Sequence, residues 1–180
     1  LNPELKDKPV AVCGNPEKRH GIVLAKSELA KKTGVKTGEP IWQSRQKCPD
    51  IVFVAPHYDE YVAISNRLFA IYSEYTDKVE SFGIDECWLD CTESENLFGS
   101  GEKIANTLRE RVKKELGITI SVGVSFTKIF AKLGSDYKKP DAVTVIDKTN
   151  YKDIIWNLPV SDLLMVGRQT AKLFKQLSIN

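Results

Sequence analysis

The chain has 180 residues, of which 42% are hydrophobic, and its formal net charge at pH 7 is +2. This length suits one domain, or one domain and a small part of another, and the apolar content supports a hydrophobic core rather than a disordered chain. No apolar run approaches the roughly 18 residues that span a bilayer, and the N-terminus has no signal-peptide pattern, so the sequence predicts a soluble, cytoplasmic protein with no membrane partner.

The charges are segregated along the chain. Residues 46–100 carry 11 acidic and 3 basic side chains, whereas residues 1–45 carry 9 basic and 5 acidic ones and residues 101–140 carry 9 basic and 4 acidic ones. An acidic centre between basic flanks suits a protein that holds cations centrally and meets a polyanion with its flanks. Solvated surfaces would produce the same blocks, so the pattern supports this interpretation without proving it.

Short strands and helices are predicted in the first 55 residues. The strands are expected at residues 9–14, 22–25 and 51–55, and the helices at residues 28–33 and 40–46. Ser27 is placed to cap the first helix and Gly34 to end it. The chain begins with Leu1 in what reads as mid-chain sequence, so we expect a fragment.

The cysteines favour reduced, buried thiols. A cytoplasmic chain seldom carries disulfides, and the four cysteines include no Cys-x-x-Cys pair. Only two histidines, His20 and His57, accompany them, so we expect no zinc site. The thiols are expected to pack as small hydrophobic groups: Cys13, Cys48, Cys87 and Cys91.

A long helix is predicted at residues 58–75, because apolar and aromatic side chains recur there at intervals of three or four. Such a stripe is usually part of a core rather than a base-stacking platform. The residues expected in this core are Val62, Ser65, Leu68, Phe69, Tyr72 and Tyr75.

Two short strands with a carboxylate pair at the bend follow this helix. Residues 79–82 and 87–91 have the composition and alternation of strands, and Gly83 interrupts them. Asp85 and Glu86 repel each other, so folding alone gives little reason to place them side by side. A divalent cation such as Mg²⁺ would supply one, because hard cations take oxygen ligands and bridge to substrate phosphates. A solvated acidic turn is the simpler alternative.

The second half of the chain alternates helices and strands. A helix opens at Ser100 or Gly101 and stops at Gly117; a strand at residues 118–124, a helix at 127–133, a basic loop at 135–140 and a strand at 142–146 follow. This order predicts an α+β fold, a ferredoxin-like split βαβ sheet with helices on one face. Its first strand is missing and should precede Leu1.

Residues 158–180 differ from the rest. A glycine-containing turn leads into a short basic helix at residues 169–177. Small modules that bind a DNA backbone are built this way, because a bare amide and a helix N-terminus reach a phosphate. An ordinary helical cap is an equal alternative.

The residues then suggest a family. Residues 81–90, Ser-x-x-Ile-Asp-Glu-x-Trp-Leu-Asp, resemble the Ser-x-Asp-Glu-x-Tyr-Leu-Asp signature of Y-family DNA polymerases, the ImpB/MucB/SamB translesion type. Residues 2–12 are similar to the segment after the first catalytic motif of that family, and residues 30–36 to its finger motif. Residues 121–128 and 135–140 are similar to its palm segments. The resemblance covers nearly the whole chain.

The resemblance implies a DNA-directed DNA polymerase that synthesises past damaged bases in the SOS response. Residues 1–55 would form the fingers region, residues 56–157 the palm, and residues 158–180 the start of a helical thumb. The expected substrates are primer–template DNA and a dNTP, and the expected cofactor is Mg²⁺, two ions per site. A sliding clamp would bind through a region outside this chain.

The resemblance also implies site roles. Asp85 would bridge both metals and Glu86 would hold or orient the primer-side ion, while Lys139 and Lys31 would neutralise the triphosphate. DNA binding in the tail is assigned to Arg168 and Lys172.

The chain departs from the family pattern at several places. A third carboxylate, in an Asp-x-Asp-x-Phe strand that also carries a ribonucleotide-excluding aromatic residue, is expected upstream of Leu1, so the fragment alone should be inactive. Glu28 and Lys31 stand where the family usually has Tyr and Arg. Ser81 stands further from Asp85 than the signature places its serine, and Met165 replaces the first glycine of the tail motif.

Two other functions stay open. A polymerase-like accessory module of DNA repair that binds DNA without catalysis is the main alternative. A nucleotidyl cyclase uses a similar sheet and two carboxylates, but the basic tail and the lack of a second Asp strand within the chain count against it.

Overall fold

The computed structural model describes residues 2–14 and 21–179. Two units are distinguished, one ending at Glu60 and one beginning at Tyr61. His20 lies outside the described residues. Among the described helices, none is long and apolar enough to cross a bilayer.

The first unit is built on a three-stranded sheet in the order β2–β1–β3. Its strands are β1 (Val10–Cys13), β2 (Val23–Lys26) and β3 (Val52–Val54), and its helices are α1 (Glu28–Lys32) and α2 (Ile41–Lys47). β1 pairs antiparallel with β2 and parallel with β3. All five elements lie within one residue of their predicted ends.

Local signals set these ends, and apolar burial closes the unit. Ser27 Oγ accepts a hydrogen bond from Ala30 N at 3.3 Å, and Gly34 adopts a φ of +88° after α1. The core consists of Ala11, Val23, Ala30, Val35, Cys48 and Ile51. The apolar composition of residues 51–55 is typical of a buried strand, but β3 lies at the sheet edge and its residues are only half-buried.

A buried polar group in the first unit was not anticipated from the sequence. Glu39 is 7% exposed, and Ser44 Oγ donates a hydrogen bond to its Oε1 at 2.7 Å. Lys47 forms an ion pair with the same carboxylate. Burial raises the pKa of Glu39, but the hydrogen bonds from Lys47 and Ser44 outweigh it and leave the pKa below its ordinary value. The segment between α1 and α2 is therefore anchored to α2 by the Glu39 carboxylate, which is paired with Ser44 and Lys47.

Two long helices dominate the second unit. They are α3 (Tyr58–Ser73) and α5 (Gly101–Leu116), with the short α4 (Glu95–Phe98) before α5. Ser100 caps α5 and Gly117 ends it in the left-handed conformation, as predicted. The core between the helices contains Ile71, Tyr75, Ile104 and Leu108. Val62 was expected in this core but is 47% exposed, because the buried stripe of α3 runs instead through Ser65, Leu68 and Ile71.

The strands of the second unit form two pairs. β4 (Val79–Ser81) and β5 (Cys87–Leu89) are antiparallel, and β6 (Val122–Ser125) and β7 (Val143–Ile146) are parallel and joined by α6 (Lys128–Tyr137). Within the described residues these pairs are not hydrogen-bonded to each other. The α+β class is confirmed, with a βαβ unit and a hairpin as its parts.

Two predicted boundaries in this unit were wrong. Residues 118–121 are not strand, because β7 offers only four residues to pair and the ladder starts where Val122 N donates to Ala142 O. Residues 135–137 belong to α6 rather than to a loop. Asp136 pairs with Lys132 at i,i+4, a contact that favours helix at these polar residues.

Glycines bring α6 against β6. A Cβ at Gly123 would lie 1.8 Å from the carbonyl oxygen of Ala131, and a Cβ at Gly134 would lie 3.2 Å from Gly123 Cα. Only two residues without side chains allow the two backbones to approach this closely. The position of α6 on the sheet, and of every side chain on α6, depends on this contact.

Two further helices follow β7, α7 (Tyr151–Ile155) and α8 (Arg168–Gln176), and α8 is the one within residues 158–180. A 3₁₀ turn at Val160–Asp162 and the turn through Met165 separate them, and α8 lies within one residue of its predicted bounds. Met165 has a φ of +67° and is 79% exposed. A methionine thus occupies a left-handed backbone position that favours glycine.

Candidate active site

The carboxylate pair lies in the turn of the β4–β5 hairpin. Phe82 N donates to Glu86 O at 2.8 Å and closes the turn, and Gly83 has a φ of +90° that few side chains tolerate. Ser65 Oγ, on α3, donates a hydrogen bond to Ile84 O. The turn is therefore tied to a helix and is not a free loop.

The two carboxylates of the turn have different surroundings. Asp85 is exposed, and no hydrogen bond or ion pair from the described residues occupies its side chain. Glu86 is half-buried, and its Oε1 accepts a hydrogen bond from Lys132 Nζ at 2.7 Å. Asp85, which has no partner among the described residues, thus stands beside Glu86, which is bound to Lys132 through one oxygen only.

A chain of alternating charges runs from Glu86 to Lys139. Lys132 Nζ also lies 2.9 Å from Asp136 Oδ2, and Asp136 Oδ1 lies 2.6 Å from Lys139 Nζ. Burial lowers the pKa of Lys132, but the hydrogen bonds to Glu86 and Asp136 outweigh it and the pKa is raised. Burial raises the pKa of Asp136, yet the hydrogen bonds from Lys139 and Lys132 leave it below its ordinary value. Lys132 and Asp136 are therefore both charged at neutral pH.

A second lysine, Lys128, lies one helical turn before Lys132 on α6 and also contacts the hairpin. Lys128 Nζ lies 2.6 Å from Glu80 Oε2 and 4.8 Å from the ring centroid of Trp88. The indole of Trp88 donates to Lys128 O at 3.0 Å, and its ring packs at 4.8 Å from that of Phe82. Successive lysines of one helix face thus contact β4, β5 and the turn.

The donor set fits a hard cation only in part. Exposed carboxylate oxygens on Asp85 and the second oxygen of Glu86 are the ligands that Mg²⁺ takes in proteins. The described residues nevertheless contain no group of three or more Asp, Glu, His or Cys side chains placed to hold a metal. Oxygens from elsewhere, such as substrate phosphates, would have to complete the coordination.

Asp90 does not belong to this site. Its Oδ1 accepts hydrogen bonds from Thr92 N at 3.1 Å and from Thr92 Oγ1 at 2.7 Å. These bonds hold the pKa of Asp90 below its ordinary value. The side chain caps the turn after β5, which is a structural role.

The remaining predicted residues lie apart from the turn in the sequence and in their contacts. Lys31 is on α1 in the first unit, where its Nζ lies 3.3 Å from Glu28 Oε1. Arg168 and Lys172 are on α8, and both are exposed. The structure thus links Glu86 to Lys139, and it does not test the roles assigned to Lys31, Arg168 or Lys172.

Two residues of the charge chain were missed as functional groups. Lys132 and Asp136 were placed only on a helix and in a loop. Their i,i+4 spacing signals a pair on one helix face. No local signal joins Lys132 to Glu86, because 46 residues separate them.

A concave region elsewhere in the second unit does not contain these groups. Its volume is about 480 Å³, and it lies beside the ends of β6 and β7, lined by residues such as Phe126, Ile146 and Lys148. It lacks an unpaired carboxylate of the kind that Asp85 offers, so we place the candidate site at the hairpin turn.

Known proteins resemble the chain over its whole length. Residues 1–136 match the impB/mucB/samB family. DNA polymerase IV of Acetivibrio thermocellus is 58% identical over 178 residues, which are 99% of this chain and 45% of that protein. DNA polymerase IV 1 of Bacillus subtilis is 40% identical over 179 residues, or 99% of this chain and 43% of that protein.

Solved structures agree with these relatives. DinB from Sulfolobus solfataricus superimposes with a TM-score of 0.90 at 32% identity, and an insertion ternary complex of Dbh DNA polymerase with a TM-score of 0.90 at 33% identity. Each alignment covers 100% of this chain and 53% of the other. The chain therefore spans about half the length of the proteins it matches.

Proposed function

The chain belongs to the impB/mucB/samB family, and from this premise we propose that the protein containing it copies DNA past damaged bases by nucleotidyl transfer. The names of the relatives, DNA polymerase IV, support the reaction class. In this proposal residues 1–55 act as fingers, residues 56–157 as palm, and residues 158–180 as the start of a thumb. The substrates are a dNTP and primer–template DNA, and the proposed location is the cytoplasm.

One observation carries the proposal: in an anchored turn, the exposed side chain of Asp85 has no partner among the described residues, and it stands next to Glu86, from which a chain of alternating charges leads to Lys139. Folding gives no reason for a bare carboxylate beside a second one. Metal ions and a triphosphate would supply that reason, because they pair with carboxylates and ammonium groups respectively.

Each residue has a defined task in this proposal. Two Mg²⁺ ions, when bound, would lower the pKa of the primer hydroxyl and stabilise negative charge on the leaving pyrophosphate. Asp85 would hold both ions and Glu86 the one on the primer side. Lys139 would release Asp136 and bind a phosphate oxygen of the triphosphate instead. Lys31 would release Glu28 in the same way. Both lysines act as point charges.

The tail and the partners extend the proposal beyond the site. Arg168 and Lys172 are exposed cations on α8, suited to contact the phosphates of the primer–template duplex. A sliding clamp would bind outside this chain. Induction in the SOS response is the physiological setting we assign to the activity.

A non-catalytic accessory function is the second candidate. Glu28 already pairs with Lys31, and a carboxylate at that place cannot donate to a phosphate. Only two acidic side chains meet at the turn within the described residues. Such a protein would bind DNA without extending a primer.

Primer extension separates the two functions. We expect the full-length protein to extend a primer on an intact template and across an abasic site, and Asp85→Asn to abolish extension. We expect the 180-residue chain alone to be folded yet inactive, since a third carboxylate is needed. Duplex binding without extension by the full-length protein would favour the accessory function. Near full-length activity of the 180-residue chain would refute the three-carboxylate site.

A further inference from the structure

We propose that Lys132 is a positioning residue that orients Glu86 and sets the availability of Lys139. The inference rests on the proposed function, because it assigns Lys132 to the same reaction. Lys132 touches neither metal nor nucleotide in this account. It acts through the two side chains that do.

The contacts place Lys132 at the centre of the charge chain. Its Nζ lies 2.7 Å from Glu86 Oε1 and 2.9 Å from Asp136 Oδ2. The other oxygen of Asp136, Oδ1, lies 2.6 Å from Lys139 Nζ. The two oxygens of Asp136 thus bind two different lysines. Of these two lysines, Lys132 is the one that also contacts the hairpin turn, through Glu86.

Burial distinguishes Lys132 from the other lysines of this region. Its side chain is 16% exposed, whereas those of Lys128 and Lys139 are 54% and 50% exposed. An exposed ion pair is weak and mobile, whereas a lysine that is mostly shielded from water depends more on its partners, because leaving its charge unpaired costs more there. Lys132 therefore restrains the orientation of the Glu86 carboxylate.

This restraint has a consequence for each half of the site. Lys132 occupies Oε1 of Glu86, which leaves the other oxygen, Oε2, available to a cation. Lys132 also occupies Oδ2 of Asp136, which leaves one oxygen for Lys139. Without Lys132, Glu86 would rotate and Asp136 would hold Lys139 with both oxygens. Metal binding and nucleotide binding should both weaken.

Lys132→Met in the full-length protein tests the first consequence. Loss of a residue that orients a metal ligand typically costs about 10- to 100-fold in metal affinity or activity. We expect a decrease of that size in the single-turnover incorporation rate and a weaker Mn²⁺ affinity by electron paramagnetic resonance. Lys132→Arg should recover part of both. Lys128→Met is the matched control, because Lys128 lies one turn earlier on α6 and pairs with Glu80 instead.

A double-mutant cycle tests whether Lys132 acts through Glu86. In a Glu86→Gln background, Lys132→Met should cost much less than in the wild type, because the charge pairing between the two side chains is already lost. A purely structural role of Lys132 would give additive losses, and additive losses would overturn the proposal. If Lys132→Met does not fold, Lys132→Gln, which keeps a donor without the charge, serves in the same cycle.

Two further results would contradict the inference. The first is a wild-type incorporation rate and a wild-type Mn²⁺ affinity in Lys132→Met. The second is a loss of rate and affinity in Lys128→Met as large as that in Lys132→Met. The proposed function fails separately, if the wild-type protein incorporates no nucleotide. In that case the Mn²⁺ measurement still reports whether Lys132 orients Glu86.

Discussion

Gly123 on β6 lies directly against the carbonyl oxygen of Ala131 on α6, with 1.8 Å between that oxygen and the place of a Cβ. This contact sets the depth of α6 on the sheet. Because Lys128 and Lys132 project from the same helix, the contact also sets where their ammonium groups meet the hairpin.

Gly123→Ala is therefore expected to destabilise the chain and to displace α6. A methyl group there meets backbone, which cannot rotate away, and overpacking of this kind costs roughly 3 kcal/mol. Urea unfolding followed by circular dichroism measures the loss. Gly167→Ala is the control, because a Cβ there meets nothing within 4 Å, and it should cost less than about 1 kcal/mol. Equal stability of Gly123→Ala and the wild type would contradict the packing described here.

The thiol of Cys87, next to Glu86 on β5, is expected to resist alkylation. Burial raises the pKa of Cys87 to about 11, so the reactive thiolate is scarce at pH 8. Peptide mapping after iodoacetamide treatment should show Cys87 labelled far more slowly in the folded chain than in urea. Comparable rates in the two states would show that the thiol is not buried.

The same shift predicts an alkaline loss of stability. An unfolded Cys87 loses its proton near its ordinary pKa of about 8.5, whereas the folded form keeps it up to about 11. Between these values the unfolded state releases a proton that the folded state retains, so the free energy of unfolding falls as the pH rises. Cys87→Ala should show a smaller fall between pH 8.5 and 11 than the wild type does. An equal fall in both would assign it to other groups.

The proposed DNA contacts predict a salt dependence. For duplex DNA the logarithm of the binding constant falls with the logarithm of salt concentration by about 0.9 per neutralised phosphate. Arg168→Ala combined with Lys172→Ala should reduce this slope by up to roughly 2. Lys114→Ala, at an exposed position on α5, is the control and should leave it unchanged. Fluorescence anisotropy that finds sequence-selective or salt-insensitive binding would refute backbone contact.

Features that neighbouring residues determine were predictable from the sequence, and features that depend on residues far apart in the chain were not. Helix ends followed from local chemistry, so Ser27, Ser100 and Gly117 marked α1 and α5 correctly. The strand at residues 118–124 was too long, because the length of β6 depends on its partner β7, which sequence alternation does not report.

The position of the candidate site divides in the same way. Asp85 and Glu86 stood out because adjacent carboxylates at a turn lack a folding reason. The pairing of Glu86 with Lys132 was not predictable, because the glycine contact at Gly123 brings residues 46 positions apart together. The buried Glu39 was missed for a similar reason, since its partner Lys47 comes one helix later.

The central claim is that Asp85 and Glu86 perform different parts of one nucleotidyl transfer. It is tested most directly by single-turnover incorporation against dNTP concentration, in the full-length protein. Glu86→Gln should slow incorporation with little change in the dNTP dissociation constant, because its interaction is made mainly in the transition state. Lys139→Ala should weaken dNTP binding first, and Asp85→Asn should impair both.

Asp90→Asn is the matched control, because Asp90 is a neighbouring carboxylate that Thr92 already occupies. We expect near wild-type incorporation for Asp90→Asn beside a large loss for Asp85→Asn. A tenfold higher dNTP dissociation constant in Glu86→Gln, with an unchanged one in Asp85→Asn, would contradict the assignment of the two carboxylates.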